Sequence, residues 1–204
     1  MIQVYHATHT RSVRVIWLLE ELGVPYEIRK VDFLGGEHQQ SDYLARSPLG
    51  KLPAIEDGDV RMFESGAIVE YLCETYDRDH RLSPAPGSPK RPEFLQWLHW
   101  AEATAMPPIG DYFQNAMLKP EAERIPQVLP EALNRIARWL AVLEKHLAGR
   151  TYVLGDDFSA ADCMLGYTVS GAKFSGQVDA RFPNVDAYAT RLADRPGFKK
   201  ANAV

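Results

Sequence analysis

The chain has 204 residues, which is enough for one large or two small domains. Hydrophobic residues make up 46% of it and charged residues 25%, a composition that is typical of folded globular proteins and argues against intrinsic disorder. The 23 basic and 27 acidic residues give a net charge of -4 and are spread along the chain. Because nucleic-acid binding requires a concentrated basic surface, this balance argues against such a partner.

The sequence also carries no pattern that is typical of membrane insertion or secretion. The longest wholly apolar run, residues 15–19, is too short to cross a bilayer. The first residues lack a basic segment followed by an apolar one, so we expect no secretory signal. Cys73 and Cys163 lie far apart and form no CxxC pair. We therefore expect a cytoplasmic protein that binds no membrane and keeps both thiols reduced.

Strand and helix patterns alternate at the start of the chain. Residues 2–6 predict a strand. Apolar positions at helical spacing between Thr10 and Gly23 then predict a helix, since Thr10 is polar and glycine ends helices well. Residues 26–31 predict a second strand.

A hairpin pattern follows. Two short apolar runs, residues 52–55 and 60–63, flank Asp57-Gly58, which favours a tight two-residue turn. Apolar positions on one face over residues 67–76 predict a helix after the hairpin. The order βαβ followed by ββα predicts a mixed sheet of four strands with helices packed on it.

A proline-rich stretch divides the chain. Residues 78–92 contain Pro84, Pro86, Pro89 and Pro92, and proline removes a main-chain N–H donor and fixes φ. We therefore expect a first domain at 1–78, a linker at 79–92 and a second domain at 93–204.

The second domain carries helical patterns only. Residues 94–106 predict an aromatic-rich helix that stops at Pro107-Pro108. Leucine and isoleucine recur in steps of three and four over residues 129–147, which predicts a long amphipathic helix. Ser159 and Asp162 form a capping-box pattern, and Pro183 opens a shorter helix.

The segment with the clearest chemical potential contains His9, Thr10, Arg11 and Ser12, between the first strand and the first helix. Hydroxyls and free N–H groups at the start of a helix stabilise an anion. The alternative is that Thr10 is an ordinary N-cap, because threonine is common at that position.

Pro53 lies in the second segment of interest. Proline pushes the residue before it into an extended conformation. If the Leu52–Pro53 peptide is cis, the main-chain donor and acceptor of Leu52 turn outward and can pair with an extended peptide. The alternative is an ordinary proline on an edge strand.

Glu64 and Ser65 form the third segment, at the start of the helix that follows the hairpin. A carboxylate, a hydroxyl and the free N–H groups of a helix start suit the ammonium and carboxylate of an amino acid. The same two residues are also ordinary at a helix start.

Several segments, taken in this order, resemble the motifs of the glutathione transferase family, in particular its bacterial and fungal members. They are residues 11–26, 36–38, 48–53, 64–68 and 195–198, with the pair Ser159 and Asp162. The resemblance covers essentially the whole chain. It implies an α+β, thioredoxin-like N-terminal domain followed by an all-α helical-bundle C-terminal domain, a homodimer, glutathione as co-substrate and no metal.

The resemblance also implies that residues 9–12 meet the sulfur of glutathione. Thr10 is the best candidate for the hydroxyl that donates to the thiolate, Ser12 is the second, and His9 and Arg11 are further candidates. Members of the family that resemble this chain usually read Ser-Arg-Ser where this chain reads Thr10-Arg11-Ser12. One hydroxyl and a helix terminus can lower a thiol pKa of ~8.5 by about one to two units, since a hydrogen bond to a charged group contributes ~1.5–3 kcal/mol.

The other glutathione contacts are implied for positions in three further segments. The implied residues are Leu52 with Pro53 for the cysteinyl unit, Glu64 with Ser65 for the γ-glutamyl end, and His38 with Lys51 for the glycyl carboxylate.

A small apolar electrophile is the implied second substrate, and the helical domain contributes to its pocket. The candidates there are aromatic and methionine side chains, namely Trp100, Met106, Tyr112 and Phe113. Such residues at helical spacing are also typical of a hydrophobic core.

Three functions remain open on the sequence alone. The first is a transferase that adds the glutathione thiolate to the electrophile, and the second is a glutathione-dependent reductase of disulfides or peroxides. The third is a glutathione-binding module without catalysis. No cysteine occurs at 9–12, which disfavours an enzyme thiolate, and His6 with His9 forms only half of a metal-ligand pattern.

Overall fold

The computed structural model describes residues 1–204. They form two compact units, one of residues 1–85 with 193–204 and the other of residues 86–192. None of the helices combines the length and the apolar character that crossing a membrane requires.

A four-stranded sheet forms the centre of the first unit, in the order β2-β1-β3-β4. Its strands are β1 (Ile2–His6), β2 (Tyr26–Lys30), β3 (Ala54–Asp57) and β4 (Val60–Phe63). β1 runs parallel to β2 and antiparallel to β3, and β3 runs antiparallel to β4. The predicted mixed sheet, and with it the thioredoxin-like N-terminal domain, is confirmed.

The hairpin turn differs by one residue from the predicted one. Asp57 pairs with Val60, so the two-residue loop is Gly58-Asp59 and not Asp57-Gly58. Gly58 has φ 58°, a left-handed conformation that glycine adopts without steric cost. β3 also begins at Ala54 and not at position 52, because Pro53 has no N–H to donate to a neighbouring strand.

Besides a short 3-10 helix at Glu37–Gln39, three α-helices complete the part of this unit that precedes the linker. They are α1 (Ser12–Leu22), α2 (Ser41–Leu44) and α3 (Ser65–Tyr76). α1 is buried from Ser12 to Leu19 and ends at Gly23, whose N–H donates to the carbonyl of Glu20. The predicted end of α1 at Gly23 is therefore correct, and the helix begins at Ser12, two residues after Thr10.

The last helix, α9 (Pro196–Asn202), packs against α1. Phe198 meets the ring of Trp17 edge-on with centroids 4.8 Å apart, and Arg195 forms a bidentate ion pair with Glu21. The sequence pattern predicts that all of 93–204 belongs to the helical domain, whereas Ala193–Val204 group with the first unit. These contacts with α1 are the physical reason.

The second unit is all helical, as predicted. Its helices are α4 (Arg91–Trp100), α5 (Met106–Phe113), α6 (Leu129–His146), α7 (Ala160–Phe174) and α8 (Pro183–Ala193), whose last residue belongs to the first unit. The seam of α6 is buried at Ile136, Leu140 and Leu143. The capping box of α7 is present, with both of its reciprocal hydrogen bonds.

The aromatic-rich helix does not stop at Pro107-Pro108, as the sequence predicts, but continues through them. A π-helical segment, Ala101–Ala105, joins α4 to α5, and the two prolines lie in the first turn of α5. Proline removes the N–H that an α-helical turn needs and crowds the preceding turn. A wider π turn just before the prolines takes the chain past them without a break.

Candidate functional site

The loop between β1 and α1 contains a chain of short polar contacts. The Thr10 hydroxyl donates to the carbonyl of Ala7 over 2.7 Å, and its oxygen lies 2.6 Å from the Ser12 hydroxyl oxygen. Ser12 is fully buried and its hydroxyl oxygen lies 2.8 Å from His6 Nδ1. Of the two candidate hydroxyls, Thr10 is the partly exposed one.

Thr10 is not the N-cap of α1. That position belongs to Arg11, and no side chain makes a capping hydrogen bond there. The Thr10 side chain turns back to Ala7 instead, so the interpretation of Thr10 as a simple helix cap is wrong.

His9 and Arg11 flank this hydroxyl. His9 is exposed and has φ 63°, a left-handed conformation that residues other than glycine adopt only where the surrounding chain holds it. Arg11 is half-buried and lies one residue before α1. Both residues are thus beside Thr10 in sequence and at the positive end of the helix.

The Leu52–Pro53 peptide is cis. The segment before it is fixed from two sides, since Tyr43 donates to the carbonyl of Lys51 over 2.8 Å and the N–H of Lys51 donates to the hydroxyl of Ser47 over 3.1 Å. The Leu52 side chain is buried with Tyr43 in a small core cluster. The N–H and C=O of Leu52 make no hydrogen bond within the chain.

Glu64 and Ser65 stand at the start of α3. Glu64 is exposed with φ 74°, and the Ser65 hydroxyl is buried and accepts a hydrogen bond of 3.0 Å from Arg14 Nη1. Arg14 is itself fully buried in α1. A guanidinium therefore lies behind the first turn of α3, where the helix terminus already favours an anion.

His38 and Lys51 are the two remaining candidates in this unit. His38 stacks on Phe33 with centroids 4.1 Å apart, and its Nδ1 is buried without a hydrogen-bond partner. Lys51 is exposed. A buried ring nitrogen without a partner calls for an explanation, and a bound anion is one that its chemistry allows.

The candidates in the helical unit fall into two groups. Trp100 and Met106 lie towards the interior: Trp100 meets Trp139 edge-on at 5.8 Å, and Met106 is 8% exposed with its sulfur 3.8 Å from the Thr168 hydroxyl. Tyr112 and Phe113 are half-buried neighbours on α5 with centroids 5.7 Å apart.

Sequence reasoning missed two residues beside the site. It weighed His6 only as half of a metal pattern, but its two ring nitrogens lie near Ser12 and the carbonyl of Val204, the latter at 3.1 Å. It did not single out Arg14, although a charged residue inside the apolar run of α1 was a visible signal. The structure contains no group of three or more histidine, cysteine, aspartate or glutamate side chains that could hold a metal ion.

Comparisons with known proteins agree with this architecture. Residues 1–74 match the family described as the glutathione S-transferase N-terminal domain, and residues 126–191 match the glutathione S-transferase C-terminal domain. A probable glutathione S-transferase of Oryza sativa subsp. japonica, GSTF1, is 32% identical over 97% of this chain and 93% of its own length.

Two solved structures extend the likeness to three dimensions. The glutathione transferase URE2P6 of Phanerochaete chrysosporium, solved with oxidized glutathione, has a TM-score of 0.89 and 32% identity, covering 98% of this chain and 94% of its own. A glutathione transferase family member of Pseudomonas fluorescens, solved with two glutathione molecules bound, has a TM-score of 0.85 and 29% identity over 98% and 92% of the two chains. With both domain families matched in order and relatives aligned over nearly their full length, this chain belongs to the glutathione S-transferase family.

Proposed function

We propose that this glutathione S-transferase binds glutathione, stabilises its thiolate with the Thr10 hydroxyl and adds that thiolate to a small apolar electrophile. The observation that carries the proposal is the partly exposed Thr10 hydroxyl at the positive end of α1. The related transferases described above were solved with glutathione or its oxidized form.

The thiol needs activation because little of it is ionised at neutral pH when its pKa is ~8.5. A hydroxyl donor and the N-terminus of α1 both favour the thiolate over the thiol. Binding then holds the thiolate close to the electrophile, which replaces a bimolecular encounter by a reaction within one complex. In this proposal Thr10 touches the sulfur, Ser12 supports it from the interior, and His9 and Arg11 flank it.

The rest of glutathione is proposed to lie along the same unit. The main chain of Leu52, before Pro53, pairs with the cysteinyl unit, and its N–H and C=O have no partner within the chain. Glu64 takes the γ-glutamyl ammonium, and Ser65 takes the carboxylate with the charge of Arg14 behind it. His38 and Lys51 face the glycyl carboxylate, for which the unsatisfied Nδ1 of His38 is the supporting observation.

Recognition of the electrophile is proposed for the helical unit. Of the four candidates, Met106 is buried and Trp100 is half-buried against Trp139, whereas Tyr112 and Phe113 are half-buried neighbours on α5. We propose that Tyr112 and Phe113 contact the electrophile. Tyr112→Ala is therefore expected to raise KM for the electrophile while KM for glutathione stays the same. A matching effect on both constants would argue against this assignment.

The central experiment combines calorimetry with glutathione and a conjugation assay on an aryl halide. We expect the wild type to bind and conjugate glutathione, and Thr10→Ala to bind it with a bound-thiol pKa raised by about one to two units. Thr190→Ala, which removes an exposed threonine hydroxyl on α8, is the control. Absence of glutathione binding by the wild type would overturn the proposal, and unchanged turnover in Thr10→Ala would remove Thr10 from the mechanism.

A second candidate function is the reduction of disulfides by glutathione. It is favoured by the ligands of the two related structures, one of which was solved with oxidized glutathione and the other with two glutathione molecules. A thiolate can attack sulfur as well as carbon, and no enzyme cysteine is needed for the first step. Comparing kcat/KM on a mixed glutathione disulfide and on an aryl halide separates the two functions.

Assembly and location are proposed with the same function. We propose a homodimer in the cytoplasm, as the family resemblance implies, with the edge strand β4 near the partner because Val60 and Phe63 are 37% and 46% exposed there. Light scattering coupled to gel filtration tests the dimer. A monomer at all concentrations would contradict it.

A further inference from the structure

Four short contacts join His6 to the proposed sulfur site. In order they are His6 Nε2 to the Val204 carbonyl, His6 Nδ1 to Ser12, Ser12 to Thr10, and Thr10 to the Ala7 carbonyl, at 3.1, 2.8, 2.6 and 2.7 Å. The two ends of this row of contacts are main-chain oxygens, which only accept hydrogen bonds. Every hydrogen in the chain must therefore come from His6, Ser12 or Thr10.

The number of hydrogens depends on the protonation of His6. A neutral imidazole carries one N–H, and each hydroxyl carries one hydrogen. Three hydrogens cannot fill four contacts, so one contact lacks a hydrogen while His6 is neutral. A second proton on the ring supplies the missing hydrogen.

Protonation of His6 also determines which group is the donor in each of these hydrogen bonds. The main-chain oxygen of Val204 only accepts, so a neutral His6 carries its one hydrogen on Nε2 and its Nδ1 accepts a hydrogen bond from Ser12. The Ser12 oxygen then either accepts a hydrogen bond from Thr10 or receives none. A ring protonated on both nitrogens donates to Ser12, Ser12 donates to Thr10, and the Thr10 hydrogen points to the Ala7 carbonyl or, when glutathione is bound, to its sulfur. A thiolate beside Thr10 favours the second arrangement, because Thr10 can then donate to the sulfur while the contact between Thr10 and Ser12 keeps its hydrogen.

We propose that His6 takes up the proton of the bound glutathione thiol through Thr10 and Ser12, which act as a relay of two hydroxyls; this inference rests on the proposed function. On glutathione binding the Thr10 hydroxyl turns its hydrogen from the Ala7 carbonyl to the Ser12 oxygen, 2.6 Å away. The S–H bond then breaks and its proton passes to the Thr10 oxygen, the original Thr10 proton passes to the Ser12 oxygen, and the Ser12 proton forms the new Nδ1–H bond. The products are a thiolate and an imidazolium within one neutral pair. When the conjugate leaves, the proton returns along the same hydroxyls to water.

The surroundings of His6 are suited to a temporary acceptor. Its side chain is 1% exposed, and burial lowers the pKa of the ring, with the charge of Lys30 on β2 acting in the same direction and the Val204 carbonyl opposing it. Its hydrogen-bonding contacts are the Ser12 hydroxyl on α1 and the main-chain oxygen of Val204, the last residue of the sequence. His6 is thus neutral at rest and holds a proton only while the thiolate balances its charge.

The test measures thiolate formation and proton release separately. Thiolate absorbance gives the pKa of the bound thiol, and calorimetry in buffers of different ionisation enthalpy gives the protons released to solvent on binding. At about pH 6.5, we expect the wild type to release far less than one proton for each thiolate formed, because His6 retains it. The number of protons released for each thiolate formed should approach one as the pH rises and His6 no longer retains the proton.

Two variants break the relay at different points. His6→Asn keeps an acceptor at the position of Nδ1 but cannot take a proton, and Ser12→Ala removes the middle hydroxyl. Each is expected to raise the pKa of the bound thiol by about one unit and to lower kcat/KM about tenfold at about pH 6.5. Because both act on one path, the double variant should be no worse than either single one.

The control is His146→Asn, which changes another histidine whose Nε2 lies 2.8 Å from a main-chain carbonyl; its proton balance should equal that of the wild type. A purely structural role of His6 would change the melting temperature and leave the bound-thiol pKa unaltered. A wild type that binds glutathione but releases one proton for each thiolate overturns the relay alone. If His6→Asn does not fold, Ser12→Ala decides the question, and no binding at all by the wild type defeats the proposed function itself.

Discussion

Arg14 of α1 is completely buried and donates from Nη1 to the hydroxyl of Ser65, 3.0 Å away at the first residue of α3. An arginine guanidinium stays protonated in proteins even where it is buried. Since Arg14 has only donors, the Ser65 oxygen accepts from it and the Ser65 hydrogen stays available to another group. Two helices that are far apart in sequence are therefore joined at the position proposed for the γ-glutamyl carboxylate.

Ser65→Ala tests this arrangement. Loss of a hydrogen bond to a charged ligand costs ~1.5–3 kcal/mol, so glutathione is expected to bind roughly ten- to a hundredfold more weakly. Arg14 also loses one acceptor in the interior, so the free energy of unfolding should fall by about 1–3 kcal/mol. Calorimetry and denaturant unfolding measure the two effects, and Ser65→Thr, which keeps the hydroxyl, should recover part of the affinity. An unchanged affinity in Ser65→Ala would contradict the role of this hydroxyl.

The capping box of α7 provides a second test, on stability alone. The fully buried carboxylate of Asp162 accepts four hydrogen bonds: from the N–H of Val153, the N–H and hydroxyl of Ser159, and the hydroxyl of Tyr188 at 2.8 Å. Burial raises the pKa of Asp162, and these four donors oppose that rise. Tyr188→Phe removes one donor with little change in shape.

We expect Tyr188→Phe to lower the free energy of unfolding by ~1.5–3 kcal/mol and to raise the pKa of Asp162 further. Asp162→Asn should lower the free energy of unfolding further. The asparagine amide has an NH₂ group where the carboxylate has an acceptor oxygen, so N–H donors would face the donors that bind Asp162 in the wild type. Urea unfolding measures both values, and Tyr112→Phe, which removes the hydroxyl of a half-buried tyrosine on α5, serves as the control. Equal stability of Tyr188→Phe and the wild type would show that the Tyr188 bond contributes nothing.

Local signals in the sequence were enough to predict much of this fold. The start and end of α1, the long seam of α6 and the capping box at Ser159 and Asp162 depend on residues within one element. The resemblance of the ordered motifs to one family supplied the architecture and the identity of the residues around Thr10. These predictions required no knowledge of long-range contacts.

Features that depend on distant parts of the chain could not be read in this way. The contact of His6 with Val204 spans 198 positions, and the packing of α9 on α1 joins opposite ends of the sequence. The continuous helix through Pro107 was also missed, since a π segment has no pattern of its own and two prolines ordinarily stop a helix. Side-chain burial separates Ser12 from Thr10, although both are polar residues in the same short segment.

Gly197 gives a third prediction, on the packing of α9. A Cβ added there would lie 3.0 Å from both Trp17 and Glu21, which is too close for unstrained packing. Gly197→Ala is therefore expected to lower the free energy of unfolding by about 1–3 kcal/mol. Gly110→Ala is the matched variant, because it lies in α5 with no atom within 4 Å of its added Cβ. Gly110→Ala should stabilise the protein by up to about 1 kcal/mol. Thermal unfolding measures both effects, and a shift of the melting temperature in the same direction for Gly197→Ala and Gly110→Ala would contradict this expectation.

His6 gives a prediction for the protein without glutathione. Burial lowers the pKa of His6 below its ordinary value of 6.5 in the folded chain, whereas the unfolded chain has the ordinary value. Well above pH 6.5 the ring is neutral in both states, so its titration does not affect stability there. As the pH falls from 6.5 to the lowered pKa, the unfolded state takes up a proton that the folded state does not, and the free energy of unfolding decreases. His6→Asn lacks this group, so the wild type should lose more stability than His6→Asn over that interval, as measured by urea unfolding at a series of pH values. If the free energy of unfolding changed with pH equally in the wild type and in His6→Asn, the pKa of His6 would be the same in the folded and unfolded states, contrary to this prediction.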